Sequence, residues 1–153
     1  MKNNPFIYLA GAMFCYGEDP YPIEWRKAAS AYIDFHSTYS TVNPCDCFSY
    51  SVKEHKTERE IMKYELRAVK GASAILVNIK DIEKSIGTID EVMYAWANDV
   101  PIIGFYEDEN VKEFDVISKL HPWLFEQIDR IFVSENAMYD SIDYIISYYE
   151  DWR

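Results

Sequence analysis

Apolar residues come in short runs separated by longer stretches of mixed polarity. Phe6-Ile7-Tyr8-Leu9-Ala10 is the first run and ends at Gly11. It does not alternate, which predicts a strand buried on both faces. Ala12 to Pro22 is rich in turn formers. Ile23 to His36 then places Trp25, Ala28, Ala29, Tyr32 and Ile33 on one side, as a helix would. Ser40 to Asn43 is a weaker strand, stopped by Pro44. Cys45 to Lys56 is polar and has no period, so a loop is expected. Thr57-Glu58-Arg59-Glu60 has capping-box spacing and opens a helix to about Lys70. Ala74 to Ile79 reads as a third strand. Ser85-Ile86-Gly87-Thr88 leads into another helix, with Thr88 as its cap and Glu91 three residues later. Pro101 to Tyr106 is the fourth strand, followed by an acidic turn from Glu107 to Asn110 and a helical region that Pro122 interrupts. Arg130 to Val133 is the fifth strand. Ser134 or Asn136 caps a last helix whose apolar face is Met138, Ile142, Ile145, Ile146 and Tyr149.

Strands and helices therefore alternate throughout. Such alternation predicts an α/β fold, a parallel sheet covered on both faces by right-handed crossovers. Five strands fit the flavodoxin-like three-layer sandwich with order 2-1-3-4-5. Its ligand crevice lies at the switch point between strands one and three. The loop after Ala10 and the segment from Lys80 to Glu91 would line that crevice, which puts Gly11, Ser85, Thr88 and Glu91 around it, with Tyr8 near its floor.

The totals narrow the function. One domain of 153 residues is expected, 49% hydrophobic, and so large enough for a core. The net charge is -11 and no basic run exists, which argues against nucleic-acid polymers and anionic membranes as partners. No apolar stretch approaches a membrane span, and no signal-peptide pattern opens the chain. Three cysteines, an odd number, suggest reduced thiols and a cytoplasmic setting. Cys45, Cys47 and His55 fit no common zinc spacing, so no metal is expected. The three histidines are scattered, and no dinucleotide or P-loop pattern occurs. Aromatics make up 16% of the chain, with 13 Tyr, a composition that suits an interface between subunits.

Carboxylates carry the remaining chemistry. Glu91 is either the partner in its own capping box or an acid held at the crevice, where a helix dipole would favour its ionised form. Glu65 lies between Ile61 and Val69 on an apolar stripe. Either its stem packs while its head reaches water, or it is paired in a cleft. Tyr8 is either a core aromatic or a group that orients Glu91. A fixed carboxylate can attack a sugar carbon while a second acid protonates the leaving group, and Glu65 or Asp81 are candidates for the second role.

Four stretches resemble the nucleoside 2-deoxyribosyltransferase family. They are Ile7-Tyr8-Leu9-Ala10-Gly11; Asn43-Pro44-Cys45-Asp46; Glu65 to Ser73; and Gly87-Thr88-Ile89-Asp90-Glu91 with Tyr94-Ala95 and Pro101-Ile102. They span roughly the first two-thirds of the chain. The resemblance implies a flavodoxin-like fold, a homo-oligomer whose neighbouring subunit completes each site, and no cofactor. It implies cleavage of the N-glycosidic bond of 2'-deoxynucleosides through a covalent deoxyribosyl-Glu, with transfer of the sugar to another nucleobase or to water. Glu91, the Glu of GTxxE, would be the nucleophile and Tyr8 would hold it. Glu65 would complete the catalytic set. Gly11, Asp46, Asp81, Ser85, Gly87 and Thr88 would contact a nucleoside or nucleotide. Two positions depart from the pattern. The family usually has Asp where this chain has Glu65, and the transferases usually have Asp where it has Ser85. Serine there resembles the related 5'-monophosphate N-glycosidases, whose Ser contacts phosphate. A nucleotide substrate, hydrolysed, is therefore the alternative. A binding module without turnover is the reading of another class, which the intact Glu91 and Tyr8 oppose.

Overall fold

In a computed structural model, residues 4–47 and 57–149 are described. Strand β1, Phe6–Gly11, opens the chain, and a short 3-10 turn at Phe14–Tyr16 leads to helix α1, Tyr21–His36. Pro22 stands in the first turn of α1, where a missing N–H costs nothing. Strand β2, Ser40–Val42, and the short helix α2, Pro44–Cys47, follow. Helix α3, Glu58–Gly71, is capped by Thr57, whose hydroxyl accepts from Glu60 N at 3.2 Å. Next come strand β3, Ala74–Asn78, a 3-10 turn at Ile82–Lys84, helix α4, Ile86–Ala97, and strand β4, Ile102–Glu107. Helices α5, Glu113–Ile117, and α6, Pro122–Gln127, precede strand β5, Arg130–Ser134, and helix α7, Ala137–Tyr149.

The sheet is parallel in every pairing, with order β2-β1-β3-β4-β5. This is the flavodoxin-like order expected from the alternation of elements. The β1–β3 register runs from Ile7 opposite Ala74 to Gly11 opposite Asn78, so those two residues flank the switch point. β2 pairs only as far as Val42 opposite Tyr8. One face of the sheet packs against α1 and α7 through Ile7, Leu9, Trp25, Ile33, Leu76 and Ile142. The other packs Tyr8, Ala10, Ile75, Val77, Val92 and Ala95 with Val69 of α3. No helix among the described residues is long and apolar enough to cross a membrane.

Several elements depart from the expectation. α4 begins at Ile86, because Ser85 and not Thr88 is its cap. Thr88 N donates to Ser85 Oγ at 3.3 Å, and the two hydroxyls lie 2.7 Å apart. Ser85 has the extended backbone of a cap, at φ -122° and ψ 93°, whereas Thr88 already lies inside the helix, with its side chain buried. The helical region is interrupted before Pro122, as expected, and Pro122 itself starts the second helix, with His121 Nδ1 accepting from Trp123 N at 3.1 Å. The cap on α7 comes from a different strand, since Met138 N donates to Glu107 Oε2 at 3.1 Å. The start of the expected loop after Pro44 is helical, and residues 48–56 of it lie outside the described part.

Candidate active site

The earlier start of α4 changes what Glu91 is. It stands in the second turn rather than at a capping-box position, so it cannot bond back to the helix start. The macrodipole also fades within the first turn. The expectation that the dipole ionises Glu91 is therefore overturned. The residue is 7% exposed, and burial pushes its carboxyl pKa up to about 8. The Tyr8 hydroxyl and the Arg26 charge pull it down; Glu65 and Asp90 push it up.

Tyr8 lies on β1, fully buried, with its side chain on the α3–α4 face. Its hydroxyl faces Glu91 closely enough to favour the ionised carboxylate. The pair nevertheless falls short of full hydrogen-bond geometry. Tyr8 Oη and Glu91 Oε2 are both buried with no hydrogen-bond partner among the described residues. Two buried polar atoms left in this state, side by side, are costly. Burial and the neighbouring Glu91 and Glu65 hold the Tyr8 phenol well above its usual range, so it stays a neutral donor.

Glu65 joins them from α3. It is half-buried, and burial raises its pKa to about 6, opposed by the Arg26 charge and reinforced by Glu58. With a pKa of about 6 it titrates close to neutrality, below Glu91, so it can donate a proton once it has taken the one that Glu91 gives up on ionising. Asp81 cannot do so equally well. Tyr16 Oη donates to Asp81 Oδ2 at 2.6 Å and Lys84 Nζ lies 3.2 Å from Oδ1, which together hold the carboxyl below its usual range. Of the two candidates for a second acid, Glu65 is therefore the one whose environment suits a proton donor. Asp81 instead ties the loop after β1 to the loop after β3, with its backbone at φ 58°.

The remaining residues divide by role. Gly11 is a packing requirement. A Cβ there would lie 2.9 Å from Trp25 Cζ2 and 3.2 Å from Asn78 Cβ. Gly87 is exposed, and a Cβ there would meet nothing within 4 Å, so the start of α4 is open. Ser85 is half-buried beside it and Thr88 is buried beneath it. Asp46 is exposed at the margin, beside Cys45, whose thiol is pushed up by burial first and by Asp46 in addition. No group of three or more His, Cys, Asp or Glu side chains among the described residues is placed to hold a metal ion. His55, part of the Cys45–Cys47–His55 set, lies outside those residues.

Arg26 is the residue the sequence reading missed. It is 1% exposed, on the buried stripe of α1 with Pro22, Trp25, Ala29 and Ile33. A cation three residues before Ala29 and seven before Ile33, inside an apolar face, was the available signal. Its charge faces Cys45, Glu91, Tyr8 and Glu65. A cavity of about 510 Å³, lined by Trp96, Pro101 and Asp129, is at the other end of the sheet, where β4 begins. Its residues include none of this acidic group.

Fold and site together define a class: a flavodoxin-like α/β domain with a buried Tyr–Glu–Glu–Arg group beside its switch point. No family model and no curated protein matches the chain. Among solved structures it is similar to the crystal structure of a conserved protein from Enterococcus faecalis V583. The TM-score is 0.69 at 15% identity, covering 92% of this chain and 98% of that one. At such identity the likeness speaks for the fold alone.

Proposed function

We propose that the protein is an enzyme that cleaves the N-glycosidic bond of 2'-deoxyribosyl compounds, in the manner of the nucleoside 2-deoxyribosyltransferases. The observation that carries this reading is the buried, unpartnered Glu91 Oε2 facing Tyr8 Oη, with Glu65 as a second acid. Glu91 is the nucleophile. Ionised, it attacks the anomeric carbon, and the bond from that carbon to the base nitrogen breaks. The electron pair leaves with the base, which takes a proton from Glu65, the acid that holds the pair's one proton once Glu91 has ionised. A second base, or water, then displaces Glu91. Positive charge develops on the sugar in the transition state. It stabilises a buried carboxylate that burial disfavours in the free enzyme, so the interaction strengthens as the reaction proceeds. Tyr8 orients the carboxylate.

A nucleotide substrate is the second reading, and Ser85 favours it. Ser85 caps an open helix start, where free N–H groups suit an anion, and it adds a neutral hydroxyl. Exposed Met93 and Trp96 on α4 and Trp123 on α6 support an oligomer, because large apolar and aromatic side chains of this kind are enriched at subunit interfaces. A monomer mass by light scattering, at full activity, refutes that part.

The deciding experiment incubates the protein with deoxynucleosides and with deoxynucleoside 5'-monophosphates, with and without a second base. A swapped base means transferase, and free base from the monophosphate alone means hydrolase. No product in any mixture rejects the enzymatic reading. Ser85→Asp separates the two substrates further. A carboxylate about 4 Å from a phosphate costs on the order of a few kcal/mol, so the monophosphate-to-nucleoside ratio of kcat/KM should fall roughly a hundredfold. An unaltered ratio removes Ser85 from the 5' end of the substrate.

A further inference from the structure

β2 is shorter than β1, and this leaves an edge to be covered. Pro5 O accepts from Ser40 N of β2, and Phe6 O accepts from Ser73 N on the β3 side. Carbonyls alternate along a strand, so those of Leu9 and Gly11 face the β2 side. β2 stops opposite Tyr8, so it reaches neither. Arg26 reaches both from α1. Its Nη2 donates to Gly11 O at 2.8 Å, its Nε to Leu9 O at 3.4 Å, and its Nη1 to Pro22 O at 3.0 Å. Its guanidinium also lies 4.6 Å from the centroid of the Trp25 ring.

All three nitrogens are thus held by neutral carbonyls. Carbonyls satisfy donors but do not neutralise a charge. The groups that face this charge are Cys45 on α2, Glu91 on α4, Tyr8 on β1 and Glu65 on α3. Neither Glu65 nor Glu91 forms an ion pair with Arg26 within 4 Å among the described residues. A buried charge at longer range still acts strongly, because the interior screens it poorly.

We propose that Arg26 is the positioning residue of the site: pinned to the open edge of β1, its fixed charge keeps Glu91 able to ionise beside Glu65. The proposal rests on the reading of Glu91 as the nucleophile. Glu91 is faced by Tyr8 from β1, Glu65 from α3, Arg26 from α1 and Asp90 from its own helix. Arg26 is the one cation of that set. A plain edge plug would need the same three hydrogen bonds but would not influence Glu91.

The test follows the Glu91 carboxyl by carbon NMR in protein labelled at glutamate, assigned with Glu91→Gln, across pH. Arg26→Gln should move the Glu91 midpoint up by about one unit or more, the size expected for loss of a nearby opposite charge. The acid limb of the pH–rate profile should move with it. Arg26→Lys should move both by less, because one ammonium cannot span three carbonyls arranged around a guanidinium plane. A folded variant whose Glu91 midpoint equals that of the wild type overturns the proposal. Should Arg26→Gln fail to fold, the Arg26→Lys titration decides alone. A moved midpoint in a protein that turns over no deoxyribosyl compound keeps Arg26 as the source of the charge and rejects the nucleophile reading. Turnover with an unmoved midpoint does the reverse.

Discussion

The two faces of the sheet bury similar apolar side chains and treat polar groups in opposite ways. On the α1–α7 side, Ile7, Leu9, Trp25, Ile33, Phe105 and Ile142 close over the strands. The buried Ser141 there donates to Met138 O at 2.6 Å, so it costs little. On the α3–α4 side, Tyr8 and Glu91 sit among Ala10, Ile75, Val77 and Val92 with Tyr8 Oη and Glu91 Oε2 unpartnered. A structural core has no reason to retain a carboxyl whose pKa burial drives to about 8. One face is built for stability. The other gives up stability for a carboxylate, and the proposed chemistry rests on that difference.

The strongest way to break this contrast is Glu91→Gln. Turnover should fall at least a thousandfold, since an amide is a poor nucleophile, while circular dichroism stays unchanged. Activity within tenfold of wild type ends the assignment. On the opposite face, Leu9→Ala should destabilise by about 2–5 kcal/mol through the cavity it leaves. Denaturant melts should show this, with kcat per folded molecule unaltered.

Stability against pH sharpens the comparison. The Glu91 pKa is raised on folding, from 4.5 to about 8, and that of Glu65 to about 6. Both groups therefore favour the folded state fully below pH 4.5, and that contribution is lost as pH rises through 6 and then 8. Glu91→Gln mimics the protonated acid, so near pH 9 it should be more stable than wild type by on the order of a few kcal/mol. Near pH 4 the two should melt alike. Equal melting at both pH values would mean that the carboxyl is solvated. The smallest effect is Tyr8→Phe. Its hydroxyl has no full hydrogen bond to lose, so stability should stay within about 0.5 kcal/mol, while turnover should drop roughly tenfold, as for loss of a contact to a charged group. A sharp fall in melting temperature without loss of turnover would return Tyr8 to the core.

Local pattern alone determined the order of strands and helices, and with it the parallel sheet, because buried strands and amphipathic helices leave periods that are read over a few residues. The Thr57 cap was legible for the same reason. Pattern also singled out Tyr8, Glu65 and Glu91, since a carboxylate in an apolar stripe or after a turn is visible in one dimension. What those residues experience was decided in three dimensions. Spacing made Thr88 the cap, but Ser85 has the extended backbone and accepts from Thr88 N, which starts the helix earlier, shifts Glu91 by a turn and reverses its expected ionisation. Asp81 stood beside Glu65 as a candidate second acid, and only the fold brings Tyr16 and Lys84 onto it. Arg26 needed the edge that a short β2 leaves on β1, a relation between residues fifteen or more positions apart. Spacing along the chain records which faces are apolar; it does not record which charges meet across a dry interior, and desolvation and Coulomb energy depend on that distance.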